Sequence, residues 1–102
     1  MLWYLRRMTP ERHRKRHAAL VALGQQIRKV RQERKVSQAD FAVKAGLDRS
    51  YYGGVERGEH NIAALNLMRI AAALEVEVGE LFPSARVFRG MLDSSAISRD
   101  PE

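Results

Sequence analysis

Arg49, Ser50 and Tyr51 form a short run of side chains that can recognise a polar partner through hydrogen bonds. A guanidinium donates parallel hydrogen bonds in a fixed geometry, and the two hydroxyls both donate and accept. The chain has no cysteine, no glycine-rich phosphate loop and no Ser-His-acid set beyond chance. His13 and His17 have the spacing of two metal ligands on a helix, but no third ligand is evident. We therefore expect binding rather than catalysis, with neither a metal nor a cofactor.

The positive charge of the chain is concentrated in its first third. The net charge is +6; residues 1–36 carry eleven lysines and arginines against two glutamates, whereas residues 37–83 carry four basic and seven acidic side chains. Because lysine and arginine displace counterions from phosphates, we expect a polyanion as partner, with residues 6–16 lying along phosphates or entering a minor groove. The alternative is a solvated tail that only keeps the chain soluble.

Three further features concern the cellular compartment of the protein. The absence of cysteine favours a reducing cytoplasm, and no apolar run approaches the roughly 20 residues that a membrane span requires. The apolar residues at positions 1–5 precede the first arginines, which is the reverse of a secretory signal. An alternative start at Met8 would make residues 1–7 upstream sequence.

The spacing of apolar residues predicts helices on both sides of the polar run. Steps of three and four residues predict one helix over residues 18–34 and another over residues 62–74. A short fifth helix is expected before Pro83, and residues 84–102 are expected to be a frayed helix or disordered. Near the beginning, Thr9-Pro10-Glu11 is a start signal for a helix that could continue into the first one.

Two short helices between these carry the polar run itself. Ser37 is a capping residue that opens the first of them, and Gly46 ends it because glycine adopts a positive φ at low cost. Asp48 caps the next helix, over residues 49–57, and Gly58 ends it. Two short helices joined by a glycine-containing turn match the helix-turn-helix unit, whose second helix enters the DNA major groove.

The first turn of such a second helix contacts the edges of the bases. Arg49 is therefore the first candidate for a base contact, since arginine pairs with O6 and N7 of guanine. Ser50 and Tyr51 could contact a base or a phosphate, although Tyr51 could equally be packed on the surface. Gly53 and Gly54 are either tolerated defects of the helix or positions at which bare backbone approaches DNA.

Two parts of the sequence resemble a known family. The strings QADFA at 38–42, AGLDRSYY at 45–52 and VERG at 55–58 resemble the signature of Cro/phage-repressor-type helix-turn-helix proteins. A second set of residues is similar to the closing helices of that family. This set comprises Leu67, Ile70, Ala71, Leu74, Val76, Leu81 and Phe82. Within the family, residues 47–51 and the Glu56-Arg57 pair are most similar to controller proteins of restriction-modification systems.

The resemblance implies an all-α fold, namely a compact five-helix, lambda-repressor-like DNA-binding domain at residues 18–83. A basic arm at residues 1–17, or an extension of the first helix, would precede the domain. A flexible tail at residues 84–102 would follow it. One departure from the family pattern is Tyr52, which stands where an aliphatic core residue is usual.

The resemblance also implies roles for side chains around the unit. Gln38 would donate to a phosphate of the DNA backbone from the start of a helix. Arg57 and Asn61 follow the second helix and are expected at phosphates too. Glu56 would form a structural ion pair with Arg31, because an unpaired acid beside a polyanion is unfavourable.

These assignments together predict a sequence-specific transcriptional regulator that binds double-stranded operator DNA as a homodimer, because one unit contacts only a few base pairs. The resemblance places the dimer contact in an apolar cluster, whose alternative role is to close the monomer core. The cluster comprises Val76, Val78, Leu81 and Phe82. A competing function is that of an antitoxin-like module, in which residues 84–102 dock on a protein partner and the protein regulates its own promoter.

Overall fold

The computed structural model describes residues 17–94. Within that range the chain folds into five α-helices and one short 3-10 helix, without a β-strand. The helices are α1 (Ala18–Glu33), α2 (Gln38–Ala45), α3 (Arg49–Glu56), α4 (Ala64–Leu74) and α5 (Ala85–Ser94), and the 3-10 helix Val78–Leu81 lies between α4 and α5. The prediction of an all-α fold is confirmed. None of the helices in this part of the chain combines the length and the apolar character needed to cross a membrane.

The helix-turn-helix unit, formed by α2 and α3, has the ends that its sequence predicts. Ser37 Oγ accepts a hydrogen bond of 3.0 Å from the backbone N–H three residues later, which caps the start of α2. Gly46 ends α2 with a φ of 74°, and Asp48 caps α3. Gly58 follows α3, where a Cβ would lie 2.6 Å from the Cα of Val21. Glycine is therefore required there for the close approach of the chain to α1.

The core lies between α1, α2, α3 and α4. α3 packs against α1 and α2, while the 3-10 helix packs against α1 and α4. The buried apolar residues are Leu23, Ile27, Val30, Phe41, Ala42, Ala45, Tyr52, Val55, Ile70, Ala71, Leu74 and Leu81. Tyr52 is fully buried, and its ring centroid lies 5.1 Å from that of Phe41. The second helix of the unit is thus anchored through one face.

Three elements differ from their predicted form. α4 begins at Ala64, two residues later than its apolar spacing predicts. The expected fifth helix is a single 3-10 turn, Val78–Leu81. The segment for which the sequence predicts a frayed helix or disorder contains α5, which packs against α1. Phe88 and Met91 of α5 are half-buried. The Phe88 ring also contacts the edge of Phe82, with centroids 6.4 Å apart.

α1 begins with a cap of its own. His17 is extended, with φ −73° and ψ 135°, and its Nδ1 accepts a hydrogen bond of 3.0 Å from the Ala19 N–H. The helix predicted to start at Pro10 therefore does not continue into α1, because the backbone at His17 is not helical. The basic arm before His17, with His13, lies outside the described residues. From residue 17 to residue 94, no group of three acidic, histidine or cysteine side chains is placed to hold a metal ion.

Glu75 ends α4 with a left-handed backbone, at a φ of 63°. We expect Glu75→Gly to raise the free energy of unfolding by about 1 kcal/mol, because glycine removes the clash of Cβ with the backbone. Urea unfolding measures this change. Ala72→Gly, at an exposed position within α4, is the matched control and should lower the same quantity by about 1 kcal/mol. If both substitutions lowered the free energy of unfolding, the backbone at Glu75 would not be strained.

Candidate nucleic-acid interface

The first turn of α3 is fixed by its cap and stands at the surface. Oδ2 of Asp48 accepts hydrogen bonds from the backbone N–H groups of Ser50 and Tyr51, at 3.0 and 3.1 Å, and from the Ser50 hydroxyl at 3.1 Å. The Tyr51 N–H and the Ser50 hydroxyl hold the pKa of Asp48 below its ordinary value, so the cap is ionised at neutral pH. Arg49 and Ser50 are exposed. The first two residues predicted to contact bases are therefore accessible to a partner.

An open cleft lies between the start of α2 and the outer face of α3. Its lining residues are Gln38, Asp48, Arg49, Ser50, Gly53 and Arg57. The N-terminal ends of both helices meet here, and helix starts attract anions through their free N–H groups and dipole. The structure thus brings predicted base contacts and predicted backbone contacts to one surface.

The ion pair that the sequence assigns to Arg31 and Glu56 is present and buried. Nε of Arg31 lies 2.6 Å from Oε2 of Glu56, and Nη2 donates to Oε1 at 3.1 Å. The two side chains are 9% and 3% exposed. Nη1 of Arg31 also donates to the backbone carbonyl of Val36 at 2.7 Å. The pair therefore joins α1, the loop before α2 and the end of α3.

Two further side chains complete the surroundings of the Glu56 carboxylate. The Tyr52 hydroxyl donates to Oε2, and Nε2 of Gln38 donates to Oε1 at 2.9 Å. Burial acts to raise the pKa of Glu56, but the hydrogen bonds from Arg31, Tyr52 and Gln38 outweigh it and hold that pKa below its ordinary value. Burial also raises the pKa of the Tyr52 phenol. Glu56 is therefore an ionised carboxylate within a satisfied network.

Gln38 consequently has a structural contact in addition to the predicted phosphate contact. Its amide lines the cleft and also bonds to Glu56, and the side chain is half-buried. Its Oε1 would lie 3.4 Å from a Cβ built on Gly53. Gln38 therefore closes one wall of the cleft while fixing the end of α3.

The two glycines of α3, for which the sequence left two roles open, are buried in the free protein. A Cβ on Gly53 would lie 3.2 Å from Nη1 of Arg57, and a Cβ on Gly54 would lie 2.5 Å from Nε2 of His60. Each glycine is thus covered by side chains of the protein itself. Gly53 still forms part of the cleft wall, whereas Gly54 lies beneath the loop that follows α3.

Tyr51 is half-buried and is held at both ends of its side chain. Its ring stacks on that of His60, with centroids 4.7 Å apart and an interplanar angle of 27°. Its hydroxyl accepts a hydrogen bond of 3.3 Å from Nδ2 of Asn66 on α4. The structure therefore places Tyr51 partly in surface packing, one of the two alternatives that the sequence left open.

The predicted phosphate contacts after α3 are at the surface. Arg57 is exposed and forms an ion pair with Glu59, with Nε–Oε2 at 2.9 Å and Nη2–Oε1 at 3.2 Å. The hydrogen bond to Glu59 raises the pKa of Arg57. Asn61 is exposed in the loop before α4. A phosphate that binds Arg57 would therefore compete with Glu59.

The apolar cluster assigned to a dimer contact is mostly turned into the monomer. Leu81 is fully buried, so its assignment to an interface is wrong; the 3-10 turn directs it into the core. Val76 and Val78 are half-buried against the same core, and Phe82 is 37% exposed. Leu65 and Met68 of α4 are more exposed, at 58% each. Their three-residue spacing places them on one face of α4, away from its buried stripe.

Sequence reasoning missed several side-chain contacts around the site, among them the hydrogen bond of Tyr52 to Glu56 and the stacking of His60 on Tyr51. Tyr52 precedes Glu56 by four residues, and that spacing on a helix brings side chains together, so this contact could have been found. His60 is in a loop, and no local pattern indicates that its ring reaches back over α3.

Comparisons with known proteins agree with this geometry. The family model described as helix-turn-helix matches residues 27–81. The chain is 38% identical over 63 residues to control protein C.MunI of Mycoplasma sp., which covers 61% of this chain and 85% of that protein. Several longer curated relatives are matched over less than half of their own length.

Two solved structures have a similar fold. The restriction-modification controller protein C.AhdI from Aeromonas hydrophila is 48% identical, with a TM-score of 0.63, over 64% of this chain and 98% of that one. The controller protein C.Esp1396I, as a tetramer in complex with its natural 35 base-pair operator, is 36% identical with a TM-score of 0.55. That match covers 74% of this chain and 91% of the other.

We expect Glu56→Gln to lower the free energy of unfolding by about 3–5 kcal/mol, because it leaves the buried Arg31 guanidinium without its counter-charge. Chemical unfolding monitored by circular dichroism measures the loss. Glu59→Gln, which removes the partner of the exposed Arg57, is the matched control and should cost no more than about 1 kcal/mol. If both variants lowered the free energy of unfolding by similar amounts, the burial of the Arg31–Glu56 pair would not explain the loss.

The stability of the domain should also decrease in acid. The pKa of Glu56 is depressed below 4.5 in the folded protein, so its contribution is present above that pH and is lost as the pH falls through the folded pKa. Urea unfolding at successive pH values below about 5 should therefore show a falling free energy of unfolding. Asp48 contributes in the same direction, and Asp48→Asn retains a capping side chain while removing that charge. If the free energy of unfolding of Asp48→Asn did not change with pH in this range, the expected contribution of Glu56 would be wrong.

Proposed function

Because this chain belongs to the helix-turn-helix family, we propose that it is a sequence-specific transcriptional regulator that binds operator DNA as a dimer. The observation that carries the proposal is the exposed first turn of α3, which the Asp48 cap holds beside the cleft at the start of α2. An α-helix fits the major groove of B-form DNA, and its first residues reach the base edges. α3 is accordingly the recognition helix.

Arg49 is the base reader of this arrangement, with Ser50 beside it. Arg49 is exposed at the first position of the recognition helix, from which its guanidinium can pair with O6 and N7 of guanine. The Ser50 hydroxyl donates to Asp48, so its lone pairs can accept a hydrogen bond from an amino group of a base. The two residues supply specificity because they contact base edges rather than the uniform backbone.

Backbone contacts fix the register of the recognition helix on the duplex. Gln38 and Arg57 stand on the walls of the cleft, and the exposed Asn61 follows in the loop. The start of α2 adds its free N–H groups, which favour a phosphate. Gly53 leaves room between Gln38 and Arg57, and no contact to DNA is needed from Gly54.

A dimer would use exposed apolar side chains rather than the buried Leu81. Leu65 and Met68 share a face of α4, and Phe82 is partly exposed after the 3-10 turn. Two copies joined there would present two recognition helices to half-sites about 34 Å apart. The similarity to a controller protein whose tetramer is bound to its operator supports oligomeric binding.

The basic segment at the beginning of the chain would supply long-range attraction to DNA. Residues 37–83 carry seven acidic against four basic side chains, so this part of the domain gains little from unspecific electrostatics. Residues 6–16 would neutralise phosphates and give binding its salt dependence. A regulator of this kind works on the chromosome, so the cytoplasm is the compartment that the proposal implies.

The particular regulator we propose is a controller of a restriction-modification system. Both the sequence relative C.MunI and the structural relative C.AhdI support this choice. A restriction or methyltransferase gene beside the coding sequence would agree with it. A toxin gene in that place would instead favour the antitoxin-like alternative, for which the half-exposed Val87 and Leu92 of α5 offer an apolar contact.

Selection of binding sites from random duplex DNA tests the function directly. We expect the wild-type protein to select a two-fold symmetric sequence. Arg49→Ala should lose about fivefold to 150-fold in affinity for that sequence, with relaxed preference at one base per half-site and almost unchanged unspecific binding. Arg86→Ala, an exposed arginine of α5 outside the cleft, is the charge-matched control. An equal loss on all sequences would make Arg49 a phosphate contact, and the absence of any selected sequence would refute the proposed function.

A further inference from the structure

We infer that His60 is a positioning residue for sequence recognition, acting through Tyr51. This inference rests on the proposed function, because it concerns the side chains that the recognition helix presents to DNA. His60 is outside the cleft and belongs to the loop between α3 and α4. Its place in the fold nevertheless determines how one residue of the first turn of α3 is oriented.

The first observation is the close approach of His60 to the backbone of α3. A Cβ on Gly54 would lie 2.5 Å from Nε2 and 2.7 Å from Cδ2 of that ring, and 3.3 Å from Oε1 of Glu59. Real Cβ atoms do not approach other atoms so closely, so any other residue at position 54 would displace the ring. The backbone N–H of Glu59 also donates to the carbonyl of Gly54 at 2.9 Å, which draws the loop back over the helix.

The second observation is the stack between His60 and Tyr51. Tyr51 lies three residues before Gly54, so the two positions are neighbours on one side of α3. The ring seated on Gly54 therefore meets the Tyr51 ring almost parallel, at 4.7 Å and 27°. Glycine at position 54 is what allows this contact between the loop and the helix.

The third observation is that α4 holds the other end of Tyr51. Nδ2 of Asn66 donates to its hydroxyl at 3.3 Å, and Oδ1 of Asn66 accepts from Nη1 of Arg69 at 3.0 Å. Tyr51 thus has its ring fixed by the loop and its hydroxyl fixed by α4, whereas its neighbours Arg49 and Ser50 are exposed.

This arrangement selects one orientation of Tyr51 before DNA arrives. Ordering a free side chain on binding has an entropic cost, and prior fixation removes that cost. Without the His60 ring, only the Asn66 hydrogen bond would hold Tyr51, so its ring would be less restricted and could meet more than one base edge. We therefore expect His60→Ala to weaken binding to the selected operator about twofold to tenfold and to broaden the preference at the base nearest Tyr51.

The test compares binding-site selection and operator affinity for the wild-type protein, His60→Ala and His60→Phe. Phenylalanine retains a ring that can stack on Tyr51, so His60→Phe should restore the narrow preference that His60→Ala loses. The same His60 substitutions are then made in a Tyr51→Ala background, where they should have no further effect on the selected sequence. Thermal unfolding confirms that each variant is folded, and His60→Gln replaces His60→Ala should the latter unfold.

Three results would overturn the inference while leaving the proposed function intact. If the wild-type protein selected a sequence and His60→Ala selected the same sequence with the same base preferences, the stack would not position Tyr51. An effect of His60→Ala that persists in the Tyr51→Ala background would show that His60 contacts DNA itself. A uniform loss of affinity on all sequences would show a structural role only. Failure of the wild-type protein to select any sequence would instead refute the proposed function.

Discussion

The orientation of the recognition helix depends on one buried carboxylate. Glu56, at the end of α3, accepts hydrogen bonds from Arg31 of α1, Gln38 of α2 and Tyr52 of its own helix. Apolar contacts alone would let a helix of eight residues slide or rotate against its neighbours, whereas directional bonds to one charged group fix it at a single point. An ionised group that is buried without partners is costly. Loss of one of these hydrogen bonds would therefore leave the buried carboxylate less well compensated.

The short length of α3 explains why it needs such support. Isolated helices of this length do not persist in water, and two glycines in its interior each lower helix propensity by about 0.8–1 kcal/mol. The Asp48 cap at one end, the buried Tyr52 and Val55 in the middle and the Glu56 network at the other end offset that weakness. Gly54 is required by its neighbour, because the His60 ring lies too close for a Cβ there, whereas a Cβ at Gly53 would need only a small shift of the Arg57 side chain. The same residues that weaken the helix therefore allow its neighbours to pack on it.

The sequence was informative where local chemistry decides the structure. Ser37, Gly46 and Asp48 act within a few residues of their own positions, so capping rules predicted the ends of α2 and α3. Burial of Leu81 and stacking of His60 on Tyr51 depend on how a turn or a loop folds back on distant elements, which periodicity does not reveal. The family resemblance implies the pairing of Glu56 with Arg31, and the four-residue spacing of Tyr52 and Glu56 is the local signal for the second contact.

Attraction to DNA and recognition of its sequence are separated along this chain. In the part that carries α2 to the 3-10 helix, acidic side chains outnumber basic ones, seven to four. Arg57, one of the four, is already paired with Glu59, and the Arg31 charge in α1 is buried against Glu56. Few free cations therefore face a phosphate from this part of the domain, so the proposed function assigns discrimination between bases to short-range contacts at Arg49. The basic residues within positions 1–36, apart from the buried Arg31, would then set the strength and salt dependence of binding without altering which sequence is chosen, because phosphates are the same at every site.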